Sequence, residues 1–389
     1  MGSMRILFTA NPLVGHVYPM FPLMYSAQEA GHEVVMATGA ELIAEVRRRG
    51  FTTWTVGPSF DEAAAELREA SRDGGIKPGE ELGQDAVYLF ARPAVRRALD
   101  LIPRAAAWRP DLVVSEITEF AGREAAIATG ALSVTHGFGT HVPHSRLFAN
   151  LIFEHVSAGL GTPNRRHVFE TGLYLDPCPP GLQSDELNGL DIRPIRPSSG
   201  QIVPGDRLPQ QFLELPKRPV VYLTLGTVVN DPELARSVLD AIEDLPISIA
   251  VTTGPGVDPA ILGARPDNVA VAEFVPQALI LPYASAVVSH SGSGTMLGAL
   301  AAGLPQVCLP RGADQFANAD RIRAVGAGIR LLPDELSPAS LRTALRAVLY
   351  DDVYVQSAQA LQAEIAAMPS SAEVLAELVE LTAPSALTA

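Results

Sequence analysis

The segment Ala284–Asn318 reads ASAVVSHSGSGTMLGALAAGLPQVCLPRGADQFAN. Its apolar run Ala286–Val288 predicts a buried strand, and the small residues of His290–Thr295 predict a tight loop after that strand. A helical pattern of apolar and small residues then extends over Met296–Ala302. The order of strand, small-residue loop and helix predicts one unit of a parallel α/β sheet.

The loop between this strand and this helix has the composition of an anion-binding turn. Small residues let the backbone approach a ligand closely, and the free N–H groups in the first turn of a helix carry partial positive charge. A phosphate or diphosphate is the anion that fits best. For this loop alone, an ordinary strand-to-helix turn with serine and glycine chosen for tightness is the alternative.

A second polar loop favours a ligand site over an ordinary turn. Gly303 ends the helix, Pro305–Pro310 is the next predicted strand, and Gly312–Gln315 follows that strand. Both loops are therefore expected at the carboxyl edge of the sheet, where open α/β sheets bind their ligands. One ligand is expected to contact four side chains from the two loops, namely His290, Thr295, Asp314 and Gln315.

Size, charge and cysteine content narrow the functional classes. The chain has 389 residues, of which 47% are apolar, and this is enough for two domains. Its net charge of −14 disfavours nucleic acid or an anionic membrane as a partner, so an anion site has to be local. Cys178 and Cys308 lie far apart without zinc-ligand spacing, and no run approaches the roughly 18 apolar residues of a membrane span. The cytoplasm is the expected location, and a homodimer is left open.

The N-terminal half predicts one α/β domain that opens with a βαβ unit. Its first elements are expected as strand Arg5–Ala10, loop Asn11–His16, helix Pro19–Ala30 and strand Glu33–Thr38. The loop contains a single glycine, Gly15, whereas a dinucleotide-binding fingerprint needs three at fixed spacing. NAD or FAD is therefore not expected at this loop.

A proline-rich segment, Asp176–Pro219, separates this half from a second α/β series and is predicted to be a linker. The predicted fold is α/β, with two Rossmann-like domains that face a central cleft. Residues 1–205 are expected to form the N-terminal domain and residues 206–369 the C-terminal domain. The C-terminal segment 370–389 is expected as a helix that can pack back on the N-terminal domain.

Three motifs together resemble the donor-binding region of inverting glycosyltransferases that use nucleotide sugars and have the GT-B fold. They are Phe274–Gln277, the turn His290–Thr295 and the pair Asp314–Gln315. Within that family, the segments Arg218–Thr227 and Gly312–Asn318 are most similar to the bacterial enzymes that glycosylate macrolide and aromatic polyketide products. The resemblance covers nearly the whole chain, although the N-terminal half matches only at short motifs.

The resemblance implies a donor site in the second domain for a thymidine- or uridine-linked sugar, without any further cofactor. The nucleobase is expected against Phe274 and the backbone of Val275, the diphosphate at the turn, and the sugar hydroxyls at the second loop. Because the chain has no Asp-x-Asp pair to clamp a metal-bound diphosphate, no metal ion is expected. The complete set of expected donor-binding residues is Thr227, Phe274, Val275, Gln277, His290, Gly292, Ser293, Gly294, Thr295, Asp314 and Gln315.

The first loop supplies a candidate for a catalytic base. In glycosyl transfer an acceptor hydroxyl attacks the anomeric carbon, and a histidine is suited to remove its proton near neutral pH. His16 follows the first predicted strand, and Gly15–His16 with Pro19 resembles the family motif that carries the base. The alternative for His16 is a helix-start residue that only hydrogen-bonds the backbone.

A base histidine is commonly oriented by a carboxylate on its other ring nitrogen. Relatives often place an aspartate just after the strand that is predicted here at Asp111–Ser115, and this chain has Glu116 there, with Glu119 close behind. Glu116 aligns better and is the predicted partner of His16. Glu119 is left open, and either glutamate could instead be a carboxylate at a helix N-terminus.

The predicted function is transfer of a sugar, with a deoxysugar favoured by the resemblance, to a small lipophilic acceptor of polyketide type. A sugar-nucleotide epimerase of the same architecture and a non-catalytic nucleotide-sugar-binding protein are the alternatives. The acceptor, the sugar, and whether the new bond is to oxygen or carbon are left open. Three further histidines are expected near the acceptor pocket rather than at a zinc site, namely His136, His141 and His144.

Overall fold

The computed structural model describes residues 2–72, 85, 87–141, 145–163, 172–183, 190–200, 202–225 and 232–382. The chain divides into two compact units. The first unit comprises Met1–Pro177, Asp185–Ile195 and Pro369–Ala389, and the second comprises Cys178–Ser184 and Arg196–Met368. Residues 196–205, which the sequence assigned to the N-terminal domain, group with the second unit.

The first unit is built on a seven-stranded parallel sheet. The strands are β1 (Arg5–Thr9), β2 (Glu33–Thr38), β3 (Thr52–Thr55), β4 (Leu112–Glu116), β5 (Leu132–His136), β6 (Leu173–Asp176) and β7 (Asp191–Pro194). They pair in the order β3-β2-β1-β4-β5-β6-β7. In β1, Ile6 and Phe8 belong to one buried cluster and Leu7 to another, so both faces of the sheet are covered and the middle of the strand is a continuous apolar run.

Helices cover both faces of this sheet. They are Val14–Val17, Phe21–Glu29, Ala40–Arg48, Phe60–Arg72, Arg92–Trp108, Ala121–Thr129, Ser145–Leu160 and Ser371–Thr382, with a 3₁₀ turn at Tyr18–Met20 and a π turn at Val87–Ala91. The last helix packs on the first unit, where Leu375 and Leu378 join the core around Met24. A hydrogen bond of 2.8 Å between the hydroxyls of Ser26 and Ser371 fixes its start.

The second unit repeats this plan with a six-stranded parallel sheet. Its strands are β8 (Val220–Thr224), β9 (Ser248–Thr252), β10 (Val269–Ala272), β11 (Ala286–Ser289), β12 (Gln306–Cys308) and β13 (Gly328–Arg330), in the order β10-β9-β8-β11-β12-β13. Its helices are Gln210–Leu213, Pro232–Ile242, Gln277–Ile280, Ser293–Ala301, Gln315–Ala324, Pro338–Tyr350 and Asp352–Ala367, with 3₁₀ turns at Pro259–Leu262 and Leu281–Tyr283.

The predicted α/β class with two parallel sheets is confirmed, but two expectations about elements were wrong and one strand was missed. The segment 176–219 is not only a linker, because β7 adds an edge strand to the first sheet and Gln210–Leu213 forms a helical turn. The first helical region begins at Val14 rather than Pro19, because the N–H groups of His16 and Val17 both donate to the carbonyl of Leu13. The short strand β13 was not foreseen.

Each sheet has one point at which the chain changes direction across it. From β1 the chain runs outward through β2 and β3 and returns to β4 on the other side of β1. In the second sheet it runs from β8 through β9 and β10 and returns to β11 beside β8. The loops that leave the carboxyl ends on either side of such a switch point diverge and leave room for a ligand. His16 follows β1 and Glu116 ends β4 at the first switch point, and the predicted anion-binding turn follows β11 at the second.

Candidate functional site

The candidate base and its partner come from the two strands at the first switch point. His16 follows β1 and Glu116 is the last residue of β4. The strands pair in register, with Thr9 opposite Ser115, so their carboxyl ends lie side by side. His16 was expected in an open loop; it lies instead in the one-turn helix Val14–Val17, which holds its backbone fixed.

His16 and Glu116 are in direct contact. Nδ1 of His16 lies 3.0 Å from Oε2 of Glu116, whose side chain is 1% exposed, whereas that of His16 is 16% exposed. The ring of Phe138 packs against the imidazole at a centroid distance of 4.9 Å. Because Nδ1 faces a carboxylate, it carries the proton of the neutral ring, and Nε2 keeps the lone pair that can accept another proton.

Glu116 is ionised although it is buried. Burial alone would raise its pKa, but the charge and hydrogen bond of His16 and the hydrogen bonds from Thr118 outweigh burial and lower the pKa below its usual value. The backbone N–H of Thr118 donates to Oε1 at 2.7 Å. A stable negative charge beside Nδ1 is what a histidine base needs when its ring becomes protonated.

Glu119 makes contacts of its own, to a helix start and to Arg97, rather than to His16. Its carboxylate accepts the N–H groups of Ala121 and Gly122 at 2.9 and 2.8 Å and pairs with the buried Arg97 at 3.2 Å. Glu119 therefore stabilises the start of the helix Ala121–Thr129, and Glu116 alone of the two contacts His16.

Two of the three further histidines lie within the described residues, and His144 lies outside them. His136 ends β5 opposite Glu116 and is fully buried, and His141 is also buried. Burial lowers the pKa of His136 to about 4, although a hydrogen bond to the carbonyl of Gly137 acts in the opposite direction. His136 is therefore neutral at physiological pH.

The turn at the second switch point has the backbone geometry of an anion site. Ser291 adopts the left-handed region, with φ of 64°. Its N–H donates to Oγ of Ser289 at 3.1 Å, and its carbonyl accepts from Nδ2 of Asn318 at 2.9 Å. The helix then begins at Ser293 without a side-chain cap. Within the described residues, the N–H groups of positions 293–295 have no hydrogen-bond acceptor, so they are available to an anion.

His290 lies against this turn. A Cβ at Gly292 would come within 2.5 Å of Nε2 of His290, so any larger residue would require the ring to move. Burial lowers the pKa of His290, while the carboxylate of Asp314 acts in the opposite direction. The imidazole is therefore neutral before an anion binds.

Asp314 and Gln315 are both partly engaged in holding the turn. Oδ2 of Asp314 accepts from Oγ of Ser293 at 2.7 Å and from Nδ2 of Asn318 at 2.9 Å. Oε1 of Gln315 accepts from the N–H groups of Arg311 and Gly312. Oδ1 of Asp314 and Nε2 of Gln315 make no hydrogen bond to the described residues, so these are the two atoms left for a ligand.

Phe274 and Val275, the residues expected to contact the nucleobase, differ in exposure. The side chain of Phe274 is 38% exposed, whereas Val275 is 2% exposed and anchors the segment in the core. Nε2 of Gln277 donates to Oγ1 of Thr295 at 2.8 Å and so ties this segment to the helix start. Thr227 lies outside the described residues, and its expected contact with the diphosphate stays a prediction.

Sequence reasoning missed four residues that hold these sites. Asn11 and Thr118 surround Glu116, Arg97 supports them, and Asn318 connects Asp314 to the turn. Asn and Thr in loops usually signal turns, so their types gave no specific indication. In the described part of the chain, no group of three His, Cys, Asp or Glu residues could hold a metal ion, and no helix is long and apolar enough to cross a membrane.

Two family models match most of the chain. The model of the erythromycin biosynthesis protein CIII-like N-terminal domain matches residues 25–226, and that of the corresponding C-terminal domain matches residues 236–381. Along its length the chain is also similar to the L-demethylnoviosyl transferase of Streptomyces niveus, with 32% identity over 382 residues that cover 95% of this chain and 96% of the relative.

Solved glycosyltransferases share the whole fold. SnogD from Streptomyces nogalater matches with a TM-score of 0.80 at 28% identity, covering 98% of this chain and 100% of that one. SsfS6 from Streptomyces sp. SF2575, complexed with thymidine diphosphate, matches with a TM-score of 0.78 at 27% identity, covering 97% and 99%. These likenesses confirm the GT-B class predicted from the sequence.

The burial of a neutral His136 leads to a prediction about the free energy of unfolding at low pH. Its pKa is near 6.5 in the unfolded chain and about 4 in the folded protein, so lowering the pH from 7 to 5 should cost the first unit about 2 kcal/mol of unfolding free energy. His136→Asn, which cannot titrate, should lose about 2 kcal/mol less over the same interval. Both tryptophans, Trp54 and Trp108, lie in the first unit, so urea unfolding followed by tryptophan fluorescence reports on that unit. An equal loss in both proteins would contradict the burial of a neutral His136.

Proposed function

Because the chain belongs to the erythromycin biosynthesis protein CIII-like family of glycosyltransferases, we propose that it transfers a sugar from a nucleoside diphosphate to a hydroxyl group of a small lipophilic natural product, with inversion. The 3.0 Å contact between His16 and the buried Glu116 carries this proposal, since it forms a base with an oriented lone pair. Similarity to transferases along nearly the whole chain favours transfer over the epimerase and the non-catalytic alternatives.

We infer that the second unit binds the donor. The uncapped N–H groups at Ser293–Thr295 and the imidazole of His290 are the groups suited to two linked phosphates. The exposed ring of Phe274 offers a face for a nucleobase, and Oδ1 of Asp314 and Nε2 of Gln315 are suited to sugar hydroxyls. All of these groups are supplied without a metal ligand, so helix and imidazole would stabilise the charge of the leaving diphosphate.

The first unit supplies the base in this proposal. Nε2 of His16 takes the proton of the acceptor hydroxyl as its oxygen forms a bond to the anomeric carbon. The bond from that carbon to the β-phosphate oxygen breaks at the same time, and the nucleoside diphosphate leaves with the electron pair. One displacement of this kind inverts the anomeric configuration. The proton between His16 and Glu116 stays on Nδ1 of His16, and the carboxylate of Glu116 stabilises the imidazolium that forms.

The donor is proposed to be a thymidine-linked deoxysugar, with a uridine-linked sugar second. Thymidine diphosphate in the matched structure of SsfS6 supports this order. The acceptor is proposed to be a polyketide, which agrees with the description of the family as erythromycin biosynthesis protein CIII-like. A screen of nucleotide sugars against polyketide aglycones, with products identified by mass spectrometry, tests both assignments.

His290→Ala is expected to weaken binding of thymidine diphosphate by about 1 to 3 kcal/mol, the usual size of one lost charge-assisted hydrogen bond. Because the bound diphosphate should favour the protonated ring, binding by the wild type should take up protons and tighten as the pH falls. The variant should lose this uptake. Calorimetry in buffers of different ionisation enthalpy measures both effects, with His16→Ala as the matched control that keeps wild-type affinity. Unchanged affinity in His290→Ala would remove this residue from the site.

His16→Ala is expected to lower kcat for an aliphatic hydroxyl acceptor by about 10² to 10⁴, as for loss of a general base. Affinity for the nucleotide should stay close to wild type, because the donor is bound by other residues. Glu116→Gln should have a smaller effect, since the base remains and only its orientation and charge stabilisation are lost. Steady-state kinetics with one donor and several acceptors gives the values. Near-full activity of His16→Ala with all of them would rule out His16 as the base.

A further inference from the structure

A buried chain of hydrogen bonds runs from Arg97 through Asn11 and Thr118 to Glu116. Nη1 of Arg97 donates to Oδ1 of Asn11 at 2.8 Å, and both residues are almost fully buried. Nδ2 of Asn11 donates to the carbonyl and to Oγ1 of Thr118, each at 2.9 Å. Oγ1 of Thr118 lies 2.9 Å from both carboxylate oxygens of Glu116. These contacts are additional to the direct contact between His16 and Glu116.

Arg97 sets the direction of every hydrogen bond in this chain. A guanidinium has only donors and stays protonated, so the atom of Asn11 that faces it must be the carbonyl oxygen. The amide nitrogen of Asn11 then faces Thr118, where it donates to the carbonyl and to Oγ1, and it also lies 3.4 Å from Oε2 of Glu116. The proton of the Thr118 hydroxyl is therefore directed at the carboxylate of Glu116.

The same hydroxyl also lies against the base. Oγ1 of Thr118 is 3.1 Å from Nδ1 of His16, next to Oε2 of Glu116 at 3.0 Å. With the hydroxyl proton committed to Glu116, Nδ1 faces two acceptors, and only a protonated Nδ1 satisfies both. The hydroxyl thus holds the carboxylate in place and excludes the tautomer in which Nε2 carries the proton.

We propose that Thr118 is a positioning residue for the transfer reaction, whose hydroxyl, directed by Asn11 and Arg97, fixes Glu116 and the Nδ1–H tautomer of His16. The inference rests on the proposed role of His16 as base. Thr118 itself does not touch the reacting atoms in this role. Its contribution should therefore appear in kcat and should depend entirely on the presence of His16.

Thr118→Val tests the inference, because valine has nearly the same shape and keeps the backbone N–H that donates to Glu116. Asn11 would still donate to the carbonyl of residue 118, so no buried amide is left unpaired. We expect kcat to fall about 5- to 50-fold with KM for both substrates within about twofold, and Thr118→Ser to restore kcat to within about twofold of wild type. Thr129→Val, which removes a hydroxyl bonded only to carbonyls of its own helix, is the matched control and should keep wild-type kcat.

A double-mutant cycle separates positioning from a general effect on the fold. In a His16→Ala background, Thr118→Val should cause no further loss of kcat. A loss of the same size in both backgrounds would overturn the inference, and so would a fully active Thr118→Val beside an impaired His16→Ala. Near-full activity of His16→Ala itself would instead overturn the proposed base. Tryptophan fluorescence checks that each variant is folded, and Thr118→Ala repeats the test if valine is not tolerated.

Discussion

The first unit depends on keeping one ionised carboxylate, that of Glu116, buried at the end of a central strand. A buried charge is strongly unfavourable unless it is paired and hydrogen-bonded. The switch point between β1 and β4 makes this possible, because loops from both strands converge on the carboxylate and supply His16 and the backbone and hydroxyl of Thr118. The contacts that make the burial tolerable are also the ones that orient the imidazole. Stability and the proposed base function therefore share the same atoms.

In the second unit the charge to be accommodated is that of the proposed ligand. Backbone N–H groups have to stay available for an anion although the chain as a whole is acidic. The left-handed turn at Ser291 orients the start of the helix. Nδ2 of Asn318 holds that turn by donating to the carbonyl of Ser291. Asp314 accepts from Ser293, so this hydroxyl is satisfied while the N–H groups after it are not. The close approach of His290 to Gly292 places a second potential donor beside the same groups. The proposed anion site therefore relies on backbone N–H groups and few charged side chains, as a chain with a net charge of −14 requires.

Sequence reasoning reached the fold because buried parallel strands are apolar on both faces, as Ala286–Val288 shows, and because their loops carry the polar residues. It failed at β7, where Asp191–Pro194 is a half-exposed edge strand with no apolar run to reveal it. The pair His16 and Glu116 was predicted, but the choice between Glu116 and Glu119 needed coordinates, since both are compatible with a helix start. Asn11, Thr118 and Arg97 could not have been found, because 86 residues separate Arg97 from Asn11 and only the packing of the sheet brings them together.

The most direct test of the account is a series of acceptors whose hydroxyl pKa falls from that of an aliphatic alcohol to that of an acidic phenol, each assayed with wild type and His16→Ala. A general base contributes most where the acceptor proton is hardest to remove. If His16 removes the acceptor proton, the ratio of wild-type to variant kcat is largest for the alcohol and shrinks steadily, approaching one for a phenol that is already ionised at the assay pH. A ratio that stays constant along the series would contradict it, because His16 would then support binding or folding rather than proton transfer.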